Sequence, residues 1–290
     1  VTGPTQATTG GYNPGELLSS ALAEGVQVVT RTEEDQLTDP SALQADFRVE
    51  IDTPLVTDAQ RVPVANDPFV VGGRSSSLAD GYATALFVPK PTTDRNGGAR
   101  PSTGWSLADF ITQAEGSFTI VHRPRGASGL FTVRGFNRAV ALGSGANAWW
   151  NQTGTSSLGK RQGDFDALEL LRGEGLDGAS PDAWYAEYGQ VRDDWYAILK
   201  QQTPTSFTKA LGLSSARYSL DTPVGLARTY LNVGASTTLS QTTLGPVLLA
   251  LKSGAAVAST GPLLNVSIGS VGPGGLVAGP TSSVSLKIDL

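Results

Sequence analysis

The sequence predicts an α/β fold with a small all-β appendage at its carboxyl end. Two patterns carry that expectation: helical apolar spacing alternates with short strand-like runs from residue 13 to residue 254, and beyond Gly254 only short runs between Gly-Pro turns remain. At 290 residues the chain has room for one large domain or two smaller ones. The pattern divides it into a main domain over 1–254 and an extension over 255–290.

Taken in order, Asn13-Pro14-Gly15-Glu16 opens a helix, with Asn13 as N-cap, Pro14 in the first turn and Leu17, Leu18, Ala21 and Leu22 as its buried stripe. Gly25 stops it, and Val26 to Thr30 reads as a buried strand. Arg31 to Asp39 is a polar loop after that strand, so Glu33, Glu34 and Asp35 fall where a strand's carboxyl end would meet a site. A solvated acidic turn explains them more economically than a metal site does. Short strands follow, FRVEI, PFVVGG and YATALFVP, and then an exposed loop from Lys90 to Gly104.

Leu107 to Ala114 is a helix capped by Ser106, and SFTIV after it is a strand that runs into His122-Arg123-Pro124-Arg125-Gly126. His122 is the chain's only His, which leaves no second imidazole for a two-His metal site and favours a structural role. The Gly/Asn/Ser-rich region from Arg134 to Leu158 contains Trp149-Trp150, read as packing on the core rather than as an exposed platform for a sugar or partner. Asp164 to Leu171 reads as a strand that carries Asp164 and Asp166 on one face. Ser180-Pro181 starts a helix that extends to Gly189, and a second helix bearing Trp195, Ile198 and Leu199 ends before Pro204. SFTKALGL, the loop SSARYS, the strand ARTYL and a helix from Thr242 to Leu251 complete the main domain.

Composition excludes several classes. The net charge is −5 with the 21 basic residues spread out, so no basic stripe is offered to nucleic acid. Cys is absent, and with it disulfides, thiolate metal sites and a Cys nucleophile. No run approaches the roughly 20 apolar residues of a membrane span. Abundant Gly, Ser and Thr with 16% charged residues suggest an extracytoplasmic protein, at the cell surface, in the periplasm or secreted. The absent Met and a last strand, SVSLKIDL, that reaches the end of the chain suggest a part of a larger product.

Several stretches resemble the PHP (polymerase and histidinol phosphatase) superfamily, in the branch with a β extension after its barrel. They are NPGELLSSALAEGVQVVT, FTIVHRPRG, GDFDALELLRG, DDWYAILKQQTPT with ARTYL, and LKSGAAVASTGPLLNVSIG. The resemblance implies a distorted (β/α)7 barrel whose carboxyl face holds divalent metals (Zn, Mn or Fe) and hydrolyses phosphoesters. It also implies where the ligands should stand, and most are replaced. The opening H-x-H falls near Pro4-Thr5-Gln6, and T-D-H falls on Thr32-Glu33-Glu34. The bridging Glu falls near Gly73 or Arg74, and G-H falls on Gly81-Tyr82. The His of N-H-P-R falls on Arg123, and G-N-S-D-S-H falls on Gly212 to Arg217, where Ser215 and Arg217 replace an Asp and a His.

A divalent ion needs about four ligands, and Glu33 and Glu34 alone remain at matched positions. The resemblance therefore implies a pseudoenzyme: no catalytic residues, no metal, no cofactor, and a structural or interaction role beside other domains or subunits. Arg74, Tyr82, Arg123, Arg125, Ser215 and Arg217 would line the vestigial pocket, with the arginines paired to Glu33 and Glu34 or holding an anion. Two alternatives stand beside this reading. One is a metal-dependent hydrolase whose site is rebuilt from Glu33, Glu34, Asp35, Asp164 and Asp166; the other is a binding module for an anionic or sugar ligand.

Overall fold

The structure, a computed structural model, describes residues 21, 24–34, 69–88, 102, 104–114, 116–155, 159–173, 181–203, 206–213, 225–234, 244–277, 279 and 285–289. Its centre is one six-stranded sheet. Strands β1 (Val28–Glu34), β2 (Phe69–Leu78), β3 (Gly81–Leu86), β4 (Phe118–His122), β5 (Ala167–Arg172) and β6 (Lys209–Leu213) lie side by side in sequence order. β1 pairs parallel with β2, β3 runs antiparallel to both neighbours, and β4, β5 and β6 are mutually parallel.

This sheet corrects the expected (β/α)7, TIM-like barrel. β2 and β3 are joined by Ala79 and Asp80 alone, and a two-residue connection admits only an antiparallel hairpin, since a parallel crossover needs a dozen residues or more. Among the described residues no ladder joins β1 to β6, so the sheet is mixed and open. Arg228, which follows β6 in the chain, donates to the carbonyl of Glu24, ahead of β1, at 2.8 Å.

Both faces of the sheet are buried along β4. Phe118 to Val121 of β4 are all buried, with Phe118 and Ile120 in one cluster and Val121 in the other. That is the continuous apolar run of a strand covered on both sides. One face carries helix α1 (Leu107–Gln113), the short helix α2 (Leu130–Val133), a 3-10 helix (Gly145–Asn151) and the long helix α3 (Pro181–Leu199), packed through Phe110, Phe131, Trp149, Trp150, Val191 and Ile198. Helix α4 (Gly245–Ser253) covers the other through Val247 and Leu251. Strands β7 (Arg228–Leu231) and β8 (Ala256–Ser259) form an antiparallel pair, and so do β9 (Asn265–Ile268) and β10 (Leu286–Asp289).

Local signals place several elements as expected. Ser106 caps α1 by accepting from the Asp109 N–H, and Gly254 ends α4 in the left-handed conformation at φ 74°. Other expectations need correction. β1 continues through Arg31 to Glu34, so the acidic segment begins as strand, and Asp164 and Asp166 precede β5 instead of lying within it. α3 runs unbroken past Gly189, merging two expected helices. The expected helix 13–24, apart from residues 21 and 24, and the strand FRVEI lie outside the described residues.

The hairpin depends on Gly81. Its φ is +131°, and a Cβ there would stand 2.9 Å from the Leu130 amide nitrogen. Gly81→Ala is expected to destabilise the fold by about 1–3 kcal/mol, read from urea unfolding. A variant as stable as the parent would contradict this close approach of backbone to backbone.

Candidate functional site

The carboxyl ends of parallel strands are where an open α/β sheet presents ligand-binding groups. Here β4 and β5 end in His122-Arg123 and Glu169 to Arg172, and β3 begins beside them. Tyr82 is the Cα partner of His122 and is half exposed. His122 reaches sideways and down: its Nε2 lies 2.7 Å from Thr84 Oγ1 and its Nδ1 lies 3.4 Å from Glu169 Oε2. Glu169 Oε2 also accepts from the Arg123 backbone N–H at 3.0 Å. When the ring is neutral with its proton on Nδ1 facing the carboxylate, Nε2 accepts from the Thr84 hydroxyl.

Hydroxyl, imidazole and carboxylate thus stand in the order of a nucleophile, its base and the group that orients the base. Thr84, however, has no exposed surface, so no substrate carbonyl reaches its oxygen in this conformation. The arrangement is a satisfied polar layer between strands. Burial alone would raise the pKa of Glu169, but the hydrogen bond and charge of His122, with the Arg123 N–H, hold it below the usual value of 4.5.

A depressed folded-state pKa means that the unfolded chain binds more protons as the solution turns acidic. The stabilisation from Glu169 is therefore present above about pH 4.5 and lost as pH falls through the folded-state value. Glu169→Gln is expected to flatten the acid limb of a plot of urea midpoint against pH. Parallel acid limbs for the two proteins would show that Glu169 does not contribute this linkage.

Beyond Glu169 lies a cleft of only about 20 Å³ lined by Arg123, Arg172, Trp184, Glu187 and Tyr188, among others. Arg172 pairs with Glu187 at 2.9 Å, and the Trp184 indole N–H donates to the Arg172 carbonyl at 3.1 Å. The rings of Trp184 and Tyr188 stack at 5.7 Å. Arg123 itself sits at φ 42°, an uncommon conformation for a residue with a side chain, and its carbonyl accepts from the Gly126 N–H to close the turn.

The structure brings some of the expected pocket residues together and separates others. Tyr82 and Arg123 both adjoin His122, one across the β3–β4 ladder and the other along the chain. Arg125 is instead drawn under α2, where its guanidinium holds the fully buried Asp194 and lies over Phe131 and Phe136. Arg74 is buried elsewhere, with its guanidinium 5.2 Å from the Trp105 ring and 5.6 Å from that of Phe110. By register it is the Cα partner of Glu33. Ser215, Arg217 and Asp35 lie outside the described residues.

The alternative carboxylate site does not assemble from the described groups. Asp164 pairs with Arg161, and Asp166 accepts from both the backbone N–H and the hydroxyl of Thr119, at 2.8 and 3.0 Å. Asp166 precedes β5, whereas Glu33 lies in β1. Among the described residues no group of three or more His, Asp or Glu side chains is placed to hold a metal. Trp149 and Trp150 are buried against each other, as the packing reading expects.

Sequence reasoning missed Glu169 and Asp194. Each left a signal: Glu169 is a lone carboxylate in the apolar run of β5, and Asp194 falls on the stripe defined by Val191 and Ile198. A charge on a buried face must have a partner.

No family model matches the chain, and no curated protein matches it. Among solved structures it is similar to that of PsfC from Pseudomonas syringae PB-5123, at 12% identity over 84% of this chain and 80% of that one, with a TM-score of 0.38. A likeness at that level does not bear on the PHP resemblance or on what the chain does. Among the described residues no helix is long and apolar enough to cross a membrane.

Proposed function

We propose that this chain is a non-catalytic α/β domain that serves as a structural or interaction module within a larger assembly. The observation that carries the reading is the mutual engagement of charged groups where chemistry would be expected. His122 is held by Thr84 and Glu169, Arg172 by Glu187, and Arg125 by Asp194. The Thr84 hydroxyl beside His122 has no exposed surface to offer a substrate, and Arg172 and Arg125 must break their ion pairs before they can hold an anion. The adjoining cleft of about 20 Å³ has room for little more than one water.

The test is metal content and hydrolysis measured on the same preparation. Purified protein is expected to carry no stoichiometric Zn, Mn or Fe, and to hydrolyse an activated phosphomonoester no faster than its Glu169→Gln, His122→Ala double variant. Stoichiometric metal together with turnover above that variant would overturn the proposal.

A further inference from the structure

On the opposite side of the sheet from α1 and α3 lies a cavity of about 100 Å³, walled by Val28, Leu86, Ile120, Leu211, Val247 and Leu251 among others. The few polar groups in its wall are occupied within the wall. The Thr229 hydroxyl donates to the Gly212 carbonyl at 2.9 Å and accepts from the Gly212 N–H at 3.0 Å. The Arg228 guanidinium donates to the carbonyls of Gly225 and Glu24, and Thr30 is likewise engaged. A water needs two to four polar partners to be stable in such a space, and these side chains are already committed. Phe87, another wall residue, sits at φ 61°, a strained conformation for a bulky side chain. The wall is thus apolar, its side chains give water little to bind, and strain is held at its edge.

We propose that this cavity is a binding site for one compact apolar group, a small ring or a branched alkyl chain. Its size supports that class: an enclosed apolar cavity of roughly 150 Å³ takes up benzene or xenon, and this pocket, partly open to solvent, is moderately smaller. The cavity lies on the other cluster of the core from Asp194 and the Trp pair, so the proposal is independent of the non-catalytic reading.

Xenon and benzene are the probes, each titrated into the full chain while Val, Leu and Ile methyl resonances are followed by NMR. Saturable shifts are expected at Val28, Ile120, Leu211 and Val247, with a benzene-dependent rise in Tm. Val28→Phe and Val247→Phe fill the space from β1 and from α4, and each is expected to abolish the shifts while unfolding cooperatively. Should one of them fail to fold, the other decides. Three results would overturn the proposal: no saturable response to either probe, shifts that map to methyls away from this wall, or a response undiminished in a folded filled variant.

Discussion

Asp194→Ala is expected to destabilise the protein by about 3–5 kcal/mol, the cost of stripping one partner from a buried ion pair. Asp194 has no exposed surface and sits on α3, facing the turn that follows β4. One of its oxygens accepts from Arg125 Nη2 at 2.9 Å and from Arg138 Nε at 3.1 Å, and the other accepts from Arg125 Nε. Arg125 also donates to the Phe136 carbonyl at 3.0 Å and lies over two Phe rings, so it cannot swing to water without uncovering them. Removing Asp194 leaves that guanidinium desolvated among aromatic faces. Arg138 and Asp193, by contrast, pair at 3.2 Å with about two fifths of each side chain exposed, and Asp193→Ala is expected to change little. Urea unfolding of the two variants provides the comparison; equal losses would show that burial is not what makes Asp194 matter.

That contrast shows what was legible in the sequence and what was not. Local grammar was readable wherever a single residue decides a backbone conformation. Ser106 starts α1 and Gly254 stops α4 because a capping hydroxyl and a left-handed residue act within one turn. The order of the sheet depends on pairings between distant segments, and family resemblance supplied a parallel barrel in their place. One local sign did point the other way. Asp80-Gly81 between two strand-like runs is a hairpin dipeptide, and read as such it turns β3 around and rules out an all-parallel barrel.

Two other departures have similar physical causes. β1 has β2 as its one partner among the described residues, and edge strands tolerate the charged residues Arg31, Glu33 and Glu34 that made the segment look like a loop. Gly189 costs a helix about 1 kcal/mol, too little to break α3 against the burial of Trp184, Val191 and Ile198 on the same helix. Of the expected pocket residues, Tyr82 is the Cα partner of His122 and Arg123 follows it in the chain, whereas Glu169, which organises the layer around His122, matches no motif position and is visible only as a charge in an apolar strand.

Trp150→Ala should cost about 3–5 kcal/mol, the loss expected when a large buried aromatic leaves a cavity that its surroundings cannot fill. Trp150 is the hub of an aromatic cluster: its ring centroid lies 5.4 Å from those of both Trp149 and Phe165, and 6.4 Å from that of Phe136. These rings join the 3-10 helix to the segment that follows α2 and to the one that precedes β5, so the hole would open where several elements meet. The backbone has been shaped around the same indole, because a Cβ on Gly163 would stand 2.1 Å from Trp150 Nε1. Gly163→Ala is therefore also expected to destabilise, by displacing the ring instead of deleting it. The two changes act on one contact, so in the double variant the methyl group meets the space vacated by the indole, and the combined loss should fall short of the sum of the single losses. Strict additivity in a double-mutant cycle would mean that Gly163 is constrained by something other than Trp150.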